Sequence, residues 1–433
     1  MKKLLLALLL ASSLMFNGCI KQDPTPIVLE TGNTTNNYYN SGGDTGGGST
    51  GGGTTGECIS VSGAITEDTT WTSDNCYKLN QKVVVEDGVT LTIEAGTIIK
   101  GAPGTGSLAS ALIIARGGKI NAVGTPTKPI IFTSSQDNIQ IGETAGTNLN
   151  ENDRGLWGGV LLLGYAHVSL SGDNVEGQVE GIPADDAFGL YGGTDDSDNS
   201  GVMQYVSVRH GGALIGEGNE INGITLGAVG SGTIIDHVEV LANLDDGIEF
   251  FGGTVSPTNV LIWATGDDGL DIDQAYGGTI DNAVVIQGEQ SDSSLEIDGP
   301  EGSYNASFIE KNLTLIGIGD ANVNGDKYAD FRDGVRGTVE NIYAYGFKSS
   351  EYVRIQDDGS ATNYNDGILS LANWQIVLPD GVTDVTSLFQ NKAPTVTVTG
   401  FGSEATAVDA GSQTVGADLS EFDWTLAKAK GAF

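Results

Sequence analysis

The sequence predicts an all-β chain wound into a solenoid of short parallel strands, and three observations carry that expectation. Apolar residues at helical spacing are nearly absent beyond the N-terminal stretch, while short β-rich runs separated by Gly or Asn dominate. Two different strand motifs recur in step, with a basic period of 22–25 residues that lengthens where loops are inserted, the signature of stacked repeats. The chain also holds 65 glycines in 433 residues, which suits sharp corners where a side chain would clash. A β-propeller would need blades of about 40–45 residues, a period not found here.

The chain opens with Lys2 and Lys3, an apolar run from Leu4 to Phe16, and then Asn17-Gly18-Cys19. A basic start, a short apolar stretch and small residues before a cleavage point describe an export signal over residues 1–18. The run falls short of the roughly 20 residues a membrane-spanning helix needs. The ending MFNGCI resembles a bacterial lipobox, with Phe16 where such boxes usually carry Leu. That resemblance implies a lipid on Cys19, the first residue of the mature chain. The alternative is a plain cleaved signal with an incidental cysteine.

Residues 19–56 form the expected lipidated tether, rich in Gly, Ser, Thr and Asn. Such a segment buries too little apolar surface to offset its ordering entropy, and its reach is roughly 30–36 Å. If Cys19 carries lipid, Cys58 and Cys76 remain. An even pair in an exported chain predicts a disulfide, worth roughly 3 kcal/mol in the chain-entropy account. Three histidines in the whole chain argue against a zinc centre.

Fifty-six acidic against twenty basic residues give a net charge of −36. A chain this acidic repels nucleic acid and anionic headgroups, and it suits divalent cations. No second linker divides residues 57–433, which predict one solenoid with an N-terminal cap and a C-terminal capping segment.

The first motif reads GIEFFGG, GLDIDQA, SLEIDGP, YADFRDG and YVRIQDD. Alternation places Ile248, Phe250, Leu270, Ile272, Leu295, Ile297, Ala329, Phe331, Val353 and Ile355 on the inner face. Leu295 and Ala329 lie 34 residues apart, so a loop is inserted in that coil. The second motif reads DHVEV, TNVLIW, DNAVVIQ, KNLTLIG and ENIYAYG. It aligns His237, Asn259, Asn282, Asn312 and Asn341. Asn tolerates the left-handed backbone of a tight turn, and stacked Asn side chains can hydrogen-bond along the column.

The stretches VVVEDGVTLTIEAGTIIKG, SALIIARGGKINAVGTPTKPIIFTS and RGLWGGVLLLGYAHVS resemble right-handed β-helix lipoproteins of Gram-negative bacteria. They also resemble the wider pectate-lyase-like superfamily. The resemblance implies a right-handed, single-stranded parallel β-helix over nearly all of residues 57–433. It implies little about function, because one fold hosts many activities.

The outward positions of the first motif carry the candidate chemistry. One column runs Glu249, Asp271, Glu296, Asp330, Arg354, and its neighbour runs Phe251, Asp273, Asp298, Arg332, Gln356. Coils stack about 4.8 Å apart, and same-face neighbours along a strand sit about 6.7 Å apart. Asp271, Asp273, Glu296 and Asp298 then form a rectangle of carboxylates with Glu249 one coil below, unfavourable without a counter-ion. Three readings stay open: a Ca²⁺ site, a glycosidase pair, or an acidic solvated face. Arg332, Arg336 and Arg354 either hold an acidic ligand, together with Asp330, or neutralise the column. The Asp245-Asp246 and Asp267-Asp268 pairs, each followed by Gly, are turn signals in their own right. Trp157, Tyr191, Trp263, Tyr276 and Tyr304 stand where loops can expose rings to sugars.

Polygalacturonases carry an Asp-Asp pair, a His-Gly and an Arg-Ile-Lys on adjacent coils. This chain has Asp267-Asp268, His210 and Arg354, but His210 precedes the pair and Gln356 stands in place of the lysine. No catalytic residue is assigned. The sequence thus describes a lipid-anchored envelope protein, at the outer membrane or cell surface. Its expected role is binding, adhesive or structural, toward extracellular polysaccharide or other surface components and with Ca²⁺ as cofactor. The alternative is a polysaccharide lyase or glycoside hydrolase.

Overall fold

A computed structural model describes residues 57–179, 182, 187–214, 221–325 and 327–433. The export signal, Cys19 and the tether lie outside the described residues. Among the described residues, 24 strands join in one continuous sheet. Each coil lays its strands parallel on those of the coil before, so the chain forms a parallel β-helix.

The first motif supplies one run of this wall: Ile248–Phe251, Leu270–Asp273, Leu295–Ile297, Lys327–Phe331 and Tyr352–Ile355. The register pairs Glu249 with Asp271, Asp271 with Glu296, Glu296 with Asp330 and Asp330 with Arg354. All ten residues expected inside are at most 1% exposed. Alternation alone selects them, because every second side chain of a strand faces the lumen. The coil with the 34-residue step carries its extra chain in two places, between Ile297 and Phe308 and between Ile316 and Lys327. Three of the five rings expected in loops, Trp157, Tyr191 and Tyr276, are instead buried. Trp157 Nε1 donates to Arg209 O at 2.7 Å and Tyr276 Oη donates to Val255 O at 2.6 Å, so these rings pack while their polar tips find backbone partners.

The second motif supplies a longer strand with a corner inside it. His237, Asn259, Asn282, Asn312 and Asn341 all adopt φ between 52° and 61°. The column extends beyond its sequence signal to Tyr205 below and Asn373 above, at φ 51° and 54°. Side-chain amides connect it: Asn282 donates to Asn259 at 2.6 Å, Asn341 to Asn312 at 3.0 Å and Asn373 to Asn341 at 3.0 Å. Asn259 and Asn312 donate to Asp236 and Asp281. The same residue type therefore satisfies both the corner backbone and its neighbour's carbonyl.

Cys58 and Cys76 are joined, with Cα atoms 4.5 Å apart. Together with Ile98, Ile131 and Ile139 they form a small cluster outside the main core. At the other end, Val396, Val398 and Phe401 pack over the last coils.

One lumen position breaks the apolar pattern. Glu310 is fully buried between Ile280 and Val339 of the adjacent coils, and both carboxyl oxygens lack a hydrogen-bond partner. Burial pushes its pKa up to about 8.

Two predictions follow the geometry of single columns. Asn312→Ala should cost about 3–4 kcal/mol, from a left-handed corner of about 1–2 kcal/mol and two lost bonds, to Asp281 and from Asn341, of about 1 kcal/mol each. Asn312→Gly keeps the corner and should cost only the two bonds; equal losses in denaturant melts would refute the backbone account. For Glu310, the folded chain holds a proton that the unfolded chain releases above its ordinary range near 4.3. Stability should therefore fall as pH rises from there to about 8, by on the order of 3–5 kcal/mol, then level off. Glu310→Met should melt higher at pH 7 and lose that slope.

Candidate functional site

The corners before the acidic strands that start at Ile248 and Leu270 end in Gly247 and Gly269, and Ser294 takes that place before Leu295. A Cβ on Gly247 would lie 2.4 Å from Ile262 and 2.5 Å from the Gly269 carbonyl, so nothing larger turns here. Asn243, fully buried, fastens the corner by donating to Ile221 O at 3.1 Å and Asp246 O at 2.8 Å. The preceding residues then stack as a column of their own: Asn222, Asp246, Asp268, Ser293. Asp246 Oδ1 accepts from the Asp268 amide at 2.9 Å, and Asp268 Oδ1 accepts from the Ser293 amide at 2.6 Å.

The Asp-Asp-Gly pairs are thus turn formers, and they also face the acidic strand column. Carboxylate oxygens of Asp246, Glu249 and Asp271 lie within 4.8 Å of one another. Two further sets, Asp245-Asp246-Asp267 and Asp267-Asp268-Asp292, meet the same limit. A cavity of about 200 Å³ opens here, lined by Asn222, Asp246, Glu249 and Asp273 with Leu161 and Phe251 among its apolar walls. Asn222 is 4% exposed and donates through Nδ2 to Glu249, while its Oδ1 has no partner.

The electrostatics divide the expected rectangle in two. Arg332 Nη1 pairs with Glu296, and its Nε and Nη2 each lie 2.6 Å from an Asp298 oxygen. Arg354 pairs with Asp330, with Nε at 2.7 Å. These two arginines and the fully buried Asp330 are engaged with the acidic column itself. Asp271 and Glu249 stand on the side where no arginine pairs with them among the described residues. Burial, then the charges of Asp246 and Asp273, hold the Glu249 carboxyl well above its ordinary range. Burial, then Glu249 and Glu296, do the same for Asp271. Asp246 is raised by burial and by Asp245, Asp271 and Asp268. Asp273 is pushed up to about 7 by burial and the neighbouring Asp298. On the Arg332 side burial still raises Glu296 and Asp298, with the guanidinium opposing it.

His210 is held apart from this chemistry. It is 3% exposed, with Nδ1 2.7 Å from Asp153 O, and burial lowers its pKa. Asn222 and Asp246 were missed as site residues. Their signal was present: each stands two positions before an inward residue of the repeat, Ile224 or Ile248, so the corner column runs beside the strand column.

The described residues thus form a parallel β-helix with a walled acidic pocket. The profile of the pectate-lyase-like β-helix domain matches residues 63–427, and the chain belongs to that family. No curated protein and no solved structure matches it.

Arg332→Gln should leave Glu296 and Asp298 without a counter-ion and cost about 2–4 kcal/mol at neutral pH, discounted for partial exposure. Both carboxyls are already raised, so the loss should shrink as pH falls and they take up protons. A deficit that stays constant from pH 7 to pH 4 in melting experiments would refute this account.

Proposed function

We propose that this protein is an envelope-anchored glycan-binding β-helix whose acidic pocket takes Ca²⁺ and, through it, an extracellular polysaccharide. The observation that carries the reading is the convergence of Asp246, Glu249 and Asp271 carboxylates on one point, beside the unpartnered Asn222 Oδ1. These are hard oxygen donors at flexible spacing, the set Ca²⁺ prefers, and four protein ligands leave positions for water or sugar hydroxyls. A bound divalent cation would ionise the raised carboxyls and release protons. The fold family's likeness to pectate lyases supports a glycan as the ligand. A net charge of −36 favours neutral chains, or acidic ones bridged by the cation. Cys19 is the proposed lipid anchor, with the tether lifting the solenoid from an outer-membrane or cell-surface position.

A second reading has one observation in its favour. Asp273, raised to about 7, is a carboxylic acid suited to protonate a leaving group near neutral pH. In that reading the pocket hydrolyses a glycoside.

Ca²⁺ should raise the melting temperature, by about 1.4 kcal/mol of added stability at ten times Kd, with uptake stronger at higher pH. Asp246→Asn with Glu249→Gln should abolish the rise, and Glu296→Gln, whose carboxylate Arg332 occupies, should leave it largely intact. A flat response in the parent protein would reduce the pocket to an acidic wall. Glycan arrays with and without chelator test the ligand; new reducing ends or unsaturated products would replace binding by catalysis. Fractionation of a Cys19→Ala variant tests the anchor, which fails if the protein stays in the membrane pool.

A further inference from the structure

The cavity beside Glu249 joins two unlike linings. Along one column Leu161, Thr225 and Glu249 follow one another coil by coil, so the wall changes from apolar to acidic within three coils. In the neighbouring column Phe251 stands between Gly227 and Asp273. Its ring is half-buried and lines the cavity. Tyr191 backs that ring at 5.7 Å between centroids, tilted by 34°, and is fixed by a 3.0 Å hydrogen bond from Oη to Gln274. At about 200 Å³ the cavity falls below the roughly 300 Å³ at which sites for drug-sized molecules begin, which leaves room for a single ring.

The polar lining accepts hydrogen bonds and hardly donates them. Asn222, 4% exposed, spends Nδ2 on Glu249, which leaves Oδ1 buried without a partner. Ionised Asp246, Glu249 and Asp273 accept only. Among the described residues no Lys or Arg lines the cavity, and the side-chain donor left is the Thr225 hydroxyl. Acids crowded at strand spacing repel one another, and a positive ligand relieves that where a neutral one does not. A protonated primary amine brings three N–H donors and no acceptor. A sugar ring that carries it adds a compact C–H face for Phe251. An N-acetyl group would keep one N–H and bring a carbonyl that this lining leaves unmet, and an unmatched polar group weakens binding.

We propose that the pocket takes an amino sugar whose amine is unsubstituted, the ammonium held by Asn222 Oδ1, Asp246 and Glu249 and the ring resting on Phe251. The ligand class rests on reading this pocket as a glycan site, not on its Ca²⁺. The ammonium and Ca²⁺ need the same carboxylates, so each excludes the other.

Titration calorimetry of the intact protein with a glucosamine disaccharide tests this, in chelator and at about 0.15 M salt, where distant exposed charges are largely screened. One-to-one binding should be at least about tenfold tighter than for the N-acetylated disaccharide, the matching glucose disaccharide or 1,4-diaminobutane, and millimolar Ca²⁺ should weaken it. Asp246→Asn with Glu249→Gln should weaken it at least about tenfold. Glu67→Gln with Asp380→Asn, which removes two exposed acids elsewhere, should not. Phe251→Leu, which keeps apolar bulk, should weaken the amino disaccharide about fivefold and leave diaminobutane unchanged. Equal losses in the two acid-pair variants would mean diffuse attraction to a chain of net charge −36, and equal affinity for diaminobutane would mean a plain amine site; either overturns the proposal. Acetylated or neutral disaccharide bound as tightly as the amine overturns it and leaves the glycan reading standing. If no sugar binds with or without Ca²⁺, both fall.

Discussion

Everything in this molecule depends on the backbone ladder between successive coils. Parallel strands stacked at one spacing force each residue to sit directly over its counterpart in the coil below. Like then meets like, column by column. Where the column faces inward, Ile248, Leu270 and Leu295 give a closely packed apolar lumen. Where it turns a corner, Asn282 donates a side-chain hydrogen bond to Asn259, and Asn341 to Asn312. Each of these columns is stable because its residue type is compatible with itself.

An acidic column is the exception, since carboxylates repeated at strand spacing repel one another. The chain resolves this in two ways along one face. In the upper coils Arg332 and Arg354 enter the column and take Glu296, Asp298 and Asp330 as partners. In the lower coils Glu249 and Asp271 have no such cation among the described residues, and the corner acids Asp246 and Asp268 add to the repulsion. The pocket sits on this unneutralised half. Strain of that kind, left in place beside a cavity, is the usual mark of a site that meets a ligand or a proton.

A stack of coils linked only to their neighbours can open from either end. Two segments here reach farther. The chain inserted after Ile297 returns to an earlier loop, where Ser303 N donates to Asp173 and Tyr304 stacks on His167 at 4.8 Å. The C-terminal strap, the chain beyond Ala405–Ala407, joins the coil of Gln375 to that of Tyr205. One lies on the flank of the acidic face and the other on the side of the Asn corners, so the stack is tied on two sides.

The sequence alone determined the coil period, the inward residues, the Asn corners and the register of the acidic columns. All of these follow from alternation and from self-stacking, which are one-dimensional rules. It could not decide what lies across a column. Arg332 occupies Glu296 and Asp298 rather than a ligand, because a long guanidinium reaches diagonally between coils. Asp246 and Asn222 join Glu249 because a corner bends their column against the strand column. Glu310 reads as an ordinary polar residue until the lumen closes round it. The strap contacts residues more than a hundred positions away, and no period in the chain encodes that meeting. Only the closed solenoid, by fixing which faces remain exposed, gave the last residues a surface to cover.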